Sequence, residues 1–537
     1  MLQIHEFKID IKQNTDALGN LLCEKLGLRP GMIKELKILR ESLDARDKGA
    51  LKRTYTLAFS LADVAAEEVL LRKKGKLRLE PYSPPEAYDL CEKFRSANVS
   101  AEGPRPIVVG FGPCGMFAAL ILAEAGLRPI VLERGRPVAD RVRDVEKFWN
   151  EGILDPESNV QFGEGGAGTF SDGKLTTRIR DPRIGKVIDE MISAGAPEDI
   201  AYKQKAHIGT DVLRTMVTNV RERIESQGGE VRFSSRLTDL FLAADGSLTG
   251  IRVNDEEDLP ARDLILAIGH SARDTFRMLH RAGLDMEAKP FSMGVRIEHP
   301  QKVVTKAQYG PQGGELTGPA DYQLSCKTPE GRGVYTFCMC PGGHVVAAAS
   351  QEGGVVTNGM SYRARDGENA NSALLVDVRV SDFESDHPLA GVELQEKYER
   401  AAFLAGGGNY MAPAQRAGDF LGFSKDSEEA PEPTYRPGVT WTDISSCLPE
   451  FITESLRWAL PVLGKKMRGF DDPGAVLTAI ESRSSSPVRL LRDRETFQSS
   501  VKGLYPGGEG AGYAGGIMSA AVDGVRLAEK IMESYLK

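Results

Sequence analysis

The sequence predicts an α/β protein of several lobes, in which a βαβ unit is preceded by a small α+β module and followed by a long strand-rich region. Length, punctuation and glycine carry that expectation. The 537 residues exceed what one hydrophobic core fills, so more than one lobe is expected. A polar, proline-containing stretch, Arg95–Pro106, has the composition of a linker. Glycine is in excess, 57 residues with no fixed period, which directs attention to loops that approach a ligand closely.

Taken in order, the first hundred residues predict a strand at Leu2–Ile9, a helix at Asp16–Leu26 and an alternating strand at Leu51–Leu61, whose Tyr55, Leu57, Phe59 and Leu61 share one face. A ferredoxin-like arrangement is one candidate for this module. It is slightly basic, with 18 Lys+Arg against 16 Asp+Glu over residues 1–103, clustered at Lys34–Arg53 and Arg72–Arg78. A face for RNA or another polyanion is one reading, and a solvated rim is the preferred one.

Residues 106–134 read strand, turn, helix, strand, and helical patterns follow at Val187–Ala194 and Val212–Gln227. From Phe291 to Pro487 the pattern is strand-rich and glycine-rich, with acidic loops at Asp382–Asp386 and Asp426–Glu432, and a helix closes the chain at Ile517–Tyr535. Two uncharged stretches, Pro106–Ala123 and Gly333–Gln351, reach membrane-spanning length, but their internal glycines and prolines favour buried strands and turns.

The balance of 68 Lys+Arg against 76 Asp+Glu, net −8, argues against nucleic acid as the partner of the whole chain. Seven irregularly spaced cysteines do not form a disulfide framework, no C-x-x-C accompanies the scattered histidines, and no metal is expected. The N-terminus has no basic and then apolar leader pattern. A reducing, cytoplasmic setting without membrane attachment is expected.

The chemistry concentrates at Ile107-Val108-Val109-Gly110-Phe111-Gly112-Pro113-Cys114-Gly115, a G-x-G-x-x-G turn between an apolar strand and a helix. Gly110 permits the tight turn, Gly112 admits a pyrophosphate close to the backbone, and Gly115 lets helix and strand pack, while the helix N-terminus attracts phosphate. The next strand ends in Glu133, 23 residues beyond Gly110, placed to accept hydrogen bonds from ribose hydroxyls and to repel a 2′-phosphate. A dinucleotide site follows, and the spacing alone does not separate FAD from NAD.

With these motifs the sequence resembles the two-dinucleotide-binding-domain flavoproteins, which assemble one FAD site from three separated segments. The second segment is Asp263–His270, with Ile268 where that superfamily usually carries threonine, and the third is Gly503–Ile517. More closely, the chain resembles the FAD-dependent, or NAD(FAD)-utilizing, dehydrogenases of undefined substrate. That likeness runs through Ser42–Arg46, Phe162–Thr169, Gly294–Glu298, Phe337–Gly343 and the C-terminal tail.

The resemblance implies an α/β fold with a Rossmann-like, discontinuous FAD-binding domain at 101–290 and 481–537, an inserted α+β substrate domain at 291–480 and the small α+β domain at 1–100. It implies FAD, held non-covalently by Gly110, Gly112, Pro113, Cys114, Gly115, Glu133, Arg134, Gly165, Gly166, Thr169, Leu237, Ala267, Gly269, His270, Gly508, Glu509, Gly515, Gly516 and Ile517. The helix opening near Gly515 places N–H groups where reduced flavin carries negative charge. No second G-x-G-x-x-G unit is present, so NAD(P)H as electron donor would have to reach the flavin without a dedicated domain.

Reactive candidates are few. Arg483 and Arg489 flank a serine-rich turn and are candidates for a carboxylate or phosphate clamp, with solvated arginines as the alternative. Cys338 and Cys340, two apart on a β-like run, would share one face, as a redox pair or as two small buried thiols. Arg296 and Glu298 would likewise share a face, as a buried ion pair or a substrate contact, with the ion pair preferred. His270 and His344 are the histidines nearest the ligand loops.

The leading expectation is an FAD-dependent oxidoreductase exchanging a hydride with a small organic substrate. Its alternatives are a flavin-dependent tRNA-modifying or RNA-binding protein recruited by the basic module, and a flavin redox sensor using Cys338 and Cys340.

Overall fold

A computed structural model describes residues 1–72, 78–97, 103–311, 313–423 and 430–536. Most of the basic run Arg72–Arg78 and of the acidic loop Asp426–Glu432 lies outside the described residues.

The N-terminal module is an antiparallel sheet whose strands lie in the order Ile33–Asp44, Lys52–Leu61, Leu2–Asp10, Leu79–Pro81, with helices at Leu18–Leu26 and Val64–Arg72. A chain order of β-α-β-β-α-β with this sheet order is the split βαβ arrangement. Tyr55, Leu57, Phe59 and Leu61 are all buried in its core. In the first strand the buried positions switch from Leu2 and Ile4 to Phe7 and Ile9, a phase change that simple alternation forbids. A β-bulge between Ile4 and Phe7, with Glu6 at φ +52°, absorbs the extra residue.

Strand Ile33–Asp44 has no counterpart in the sequence reading, because its side chains are charged or half-exposed and carry no apolar period. It is an edge strand, and charges suit an edge. Cations of the Lys34–Arg53 cluster meet acids there, Lys37 with Glu35, Arg46 with Asp44 and Arg53 with Glu41, and Lys8 of the first strand joins Asp44.

The second domain is built on five short parallel strands in the order Leu504–Pro506, Leu264–Leu266, Ile107–Val109, Ile130–Leu132, Glu230–Arg232. Three chain segments hundreds of residues apart thus lie side by side. The helix Pro113–Glu124 is buried all round, between the sheet and the helices Thr210–Ser226 and Ile517–Tyr535, which explains its lack of a polar face. Two glycines allow this packing: a Cβ at Gly115 would overlap the Gly110 carbonyl oxygen, and one at Gly524 would overlap the Cys114 carbonyl oxygen of the facing helix. The helix Leu90–Ser96, ahead of the linker, adds Cys91 and Phe94 to the same core.

The inserted domain carries a seven-stranded sheet in the order Ser325–Lys327, Gly333–Cys340, Asn369–Val378, Phe291–Pro300, Val476–Glu481, Ala412–Arg416, Val439–Trp441. Helices at Gln301–Tyr309, Ala390–Ala405 and Glu450–Lys466 complete it. The local strand-rich pattern did not mark where these helices lie, because Pro461 inside the last one and the glycine-rich surroundings hide the helical period. Both long uncharged stretches resolve into short strands, turns and, after the first, the buried helix. Among the described residues no helix is long and apolar enough to cross a membrane.

Hydrogen bonds dock this domain on its neighbour: Trp149 Nε1 donates to the Ala347 carbonyl, and Gln161 Nε2 to that of Ala348. The two lobes enclose a cavity of about 1740 Å³, its open mouth included.

Candidate functional site

The cavity begins at the glycine turn. A Cβ at Gly110, which sits at φ +97°, would overlap the Ala267 carbonyl oxygen, so the fingerprint turn and the 264–270 segment touch. Gly112 caps the helix with no side chain on its N–H groups, and Pro113 occupies the first turn, where a missing N–H costs nothing. The loop 161–174 crosses directly above: a Cβ at Gly166 would lie 2.8 Å from the Gly112 Cα. At the far end Gly516, at φ +125°, opens the 19-residue helix Ile517–Tyr535, again with no side-chain cap, and a Cβ on Gly515 or Gly516 would meet only open space. Two long helices therefore direct uncapped N-termini at one cavity.

Gly110, Gly112, Pro113, Cys114, Glu133, Arg134, Gly166, Leu237, Ala267, Gly269, His270, Gly508, Glu509, Gly515, Gly516 and Ile517 all line it. Gly115, Gly165 and Thr169 do not. Gly115 is the helix-packing glycine, as its position in the motif implies. Gly165 and Thr169 brace the loop from behind: the buried Thr169 hydroxyl donates to the Glu164 carbonyl, and its own carbonyl accepts from Thr210. A hydroxyl contact from Thr169 to a cofactor is therefore corrected.

Glu133 differs from expectation in its partners. Its carboxylate accepts from the N–H groups of Phe111, Gly135 and Gly163, each at 2.9 Å, and the residue is 4% exposed. One side chain thus ties three loops together, leaving one lone-pair position for a ribose hydroxyl. Arg134 lies over the Phe162 ring at 4.1 Å and pairs with Glu157 and Asp274.

His270 and Glu509 form the second polar feature. His270 Nε2 is 3.8 Å from Glu509 Oε1, and its buried Nδ1 has no hydrogen-bond partner. Burial pushes His270 down to about 3, leaving a neutral ring, and pushes Glu509 up to about 7. An orphaned ring nitrogen, two uncapped helices and a glycine cradle fit an elongated anionic dinucleotide.

The rest of the cavity belongs to the inserted domain. Cys338 sits on a bulge in the pairing of Gly333–Cys340 with Asn369–Val378, at φ +45°, a region that non-glycine residues rarely occupy. Regular alternation is broken here, yet both thiols line the cavity: Cys338 is exposed to it, while Cys340 is 1% exposed and turns its Sγ to the Cys338 carbonyl at 3.2 Å. Both thiols are free, and burial raises that of Cys340 above its ordinary value. Protonated thiols are poor nucleophiles, which weighs against the redox-sensor reading.

Beneath them lies Arg296, wholly buried. It pairs with Glu481 at 2.7 Å, donates to Asn371 and holds the Cys338 carbonyl at 2.5 Å. The expected Arg296–Glu298 pair is not formed: Glu298 accepts instead from Asn369 and Thr434. Sequence reasoning did not single out Glu481 as a reactive group, because its partner lies 185 residues away.

Arg483 lines the cavity but is already engaged, donating to Glu399 through Nε and Nη2 and to Ser350 through Nη1. Arg489 lies off the cavity wall and pairs with Glu287 at 3.2 Å, which removes it as a clamp at this site. His344 is also outside the wall, edge-on to Tyr362. Lys174 and Asp172, from the glycine-rich loop, line the wall unforeseen. Their signal was present, since Asp172-Gly173-Lys174 ends the motif, but nothing local marks which loop residue faces inward.

The glycine turn, the closing helix and the cavity define a dinucleotide-binding flavoprotein. Comparison with known proteins agrees: residues 290–484 match the family model described as FAD-dependent protein, C-terminal domain-like, and residues 1–60 match a domain of unknown function. An uncharacterized protein of Clostridium beijerinckii is 46% identical over 542 residues, covering 99% of both chains. The chain belongs to this family of FAD-dependent proteins of undefined substrate. Among solved structures, iminodiacetate oxidase from Chelativorans sp. BNC1 is similar at 12% identity over 80% of this chain and 95% of that one, TM-score 0.35. A flavocytochrome c3 fumarate reductase matches at 12% identity over 85% and 83%, TM-score 0.35.

Proposed function

We propose that the protein is an FAD-dependent oxidoreductase that exchanges a hydride between the flavin and a small organic substrate lodged between the two lobes. One observation carries the reading: two uncapped helix N-termini open on a single cavity that continues without a break to the inserted domain. FAD supplies the two-electron chemistry when bound. The chain's own residues would bind and orient. The N-terminus of Pro113–Glu124, with Gly112 and Gly166 beside it, would take the pyrophosphate, Glu133 and Arg134 would take the adenosine end, and the N-terminus of Ile517–Tyr535 would stabilise negative charge on the reduced ring. Loop 161–174 and the Phe337–Cys340 bulge would exclude water from the reacting end.

Among the described residues the fold carries one Rossmann-type turn, so a nicotinamide donor would enter the same cavity as the substrate. The test is the absorbance spectrum of purified protein followed by anaerobic NADH and NADPH. Bands near roughly 370 and 450 nm are expected of an oxidised flavin. Bleaching by either nucleotide identifies the donor. A protein that neither carries nor takes up FAD would end this reading.

A further inference from the structure

Cations outnumber carboxylates in and behind the wall near Lys174 and Arg483. On one side Arg365, behind the wall, alone holds Asp172, at 3.0 and 2.5 Å, and Asp172 is 4% exposed. Lys174 donates one of its three N–H groups to the Met339 carbonyl and meets no carboxylate within ion-pair distance among the described residues. On the other side Arg273 and Arg483 share Glu399, each at 2.8 Å, all three almost fully buried. Arg273 also lies 3.9 Å from Glu396, but that carboxylate is balanced by Arg277 at 2.6 Å. Between the two sides the Arg296–Glu481 pair is neutral.

Of the groups named, five cations thus stand beside three carboxylates, an excess of two positive charges, and of the five only Lys174 and Arg483 line the cavity itself. Buried charge without a counterion is expensive, and a fold keeps it where a ligand of opposite sign completes the site. Arg483 shows the strain of the arrangement: burial and the neighbouring Arg273 both push its pKa down. Of the five, Lys174 alone lines the cavity with N–H groups to spare, since both forks on Glu399 are engaged.

We propose that the substrate is a small organic acid whose carboxylate binds Lys174, in the field of the Arg273–Arg483 pair. The inference rests on the oxidoreductase reading and specifies its substrate class. Mono- and dicarboxylic acids of two to six carbons satisfy it, whereas their amides do not. The apolar and thiol wall at Phe337, Cys338 and Val356 would meet the acid's carbon chain.

The experiment uses FAD-loaded full-length protein, titrated with acetate, glycolate, succinate and glutarate, with the corresponding amides and with inorganic phosphate. Binding is read from the flavin difference spectrum and from thermal stability, and thermal stability is followed on the flavin-free chain in parallel. At least one acid should give a saturable change that its amide does not. Lys174→Met should weaken it by about 10–100-fold, as expected for a lost charged hydrogen bond, while Lys174→Arg stays within about threefold. The proposal is overturned if no acid binds, if amides bind as well as acids, if phosphate equals the best acid, or if Lys174→Met changes FAD retention and leaves acid affinity intact. Failure to load FAD would count against the oxidoreductase reading, while acid binding to the flavin-free chain would still judge the carboxylate site.

Discussion

Replacing Glu133 by glutamine tests whether this carboxylate is first a brace and only second a ribose acceptor. In the structure Oε1 accepts two N–H groups, from Gly135 and Gly163, and Oε2 accepts one, from Phe111. A glutamine can turn its single oxygen to the first pair, but its amide then presents N–H to the N–H of Phe111. One buried bond becomes a donor–donor contact, and two lose their charge assistance. A buried unsatisfied donor costs about 1–3 kcal/mol, and a charged hydrogen bond exceeds a neutral one by about 1 kcal/mol. The expected total is roughly 3–5 kcal/mol in the flavin-free protein, equivalent to a drop of about 6–20 °C in the midpoint for a unit of 150–250 residues. Scanning fluorimetry of flavin-free wild type and Glu133→Gln measures it, with the FAD-loaded pair as a second comparison. A flavin-free variant melting within about 1 °C of wild type, with only FAD affinity reduced, would refute the brace.

Glu509 is protonated more readily when folded than when unfolded, because burial lifts its folded value to about 7. The stability this contributes is complete below the ordinary carboxylate range and is lost as pH rises through 7. Glu509→Gln should therefore flatten the decline in flavin-free melting temperature between pH 5 and 8, and an unchanged decline would refute the assignment. Gly524→Ala should separate the helices Pro113–Glu124 and Ile517–Tyr535, because its Cβ would overlap the Cys114 carbonyl. A loss of about 1–3 kcal/mol and reduced flavin content are expected, measured by thermal unfolding and bound absorbance. Glu399→Gln leaves Arg273 and Arg483 facing each other and should cost about 3–5 kcal/mol, a loss that Arg483→Met in the same chain partly restores. Equal melting of wild type and Glu399→Gln would show that the two arginines find other counterions.

Much of the dinucleotide end was legible before any coordinates. Gly110, Gly112, Gly115 and Glu133 sit at spacings set by one turn and one βαβ unit, so a window of thirty residues contains the whole signal. The closing helix Ile517–Tyr535 matches its expected limits, because a glycine-rich start followed by an apolar period is equally local. Elsewhere the pattern failed in interpretable ways. Strand Ile33–Asp44 forms because Lys52–Leu61 offers it partners, and the helix Glu450–Lys466 tolerates Pro461 because its apolar face is fully buried. The even spacing of Cys338 and Cys340 suggested a shared face, and both do line the cavity, although an inserted residue between Phe337 and Cys340 breaks the regular alternation.

By itself the sequence determined the glycine turn and the acidic residue after the second strand, which follow from steric rules that operate over a few residues. That three separated segments meet around the cavity was implied by the family resemblance and not by any local rule. The tertiary structure alone decided which charges face one another: Arg296 with Glu481 rather than Glu298, Arg483 with Glu399, and Lys174 with no carboxylate within ion-pair distance among the described residues. Such pairings join residues 84 to 185 positions apart. Coulomb energy depends on distance and burial, which exist only once the two lobes have closed on the cavity.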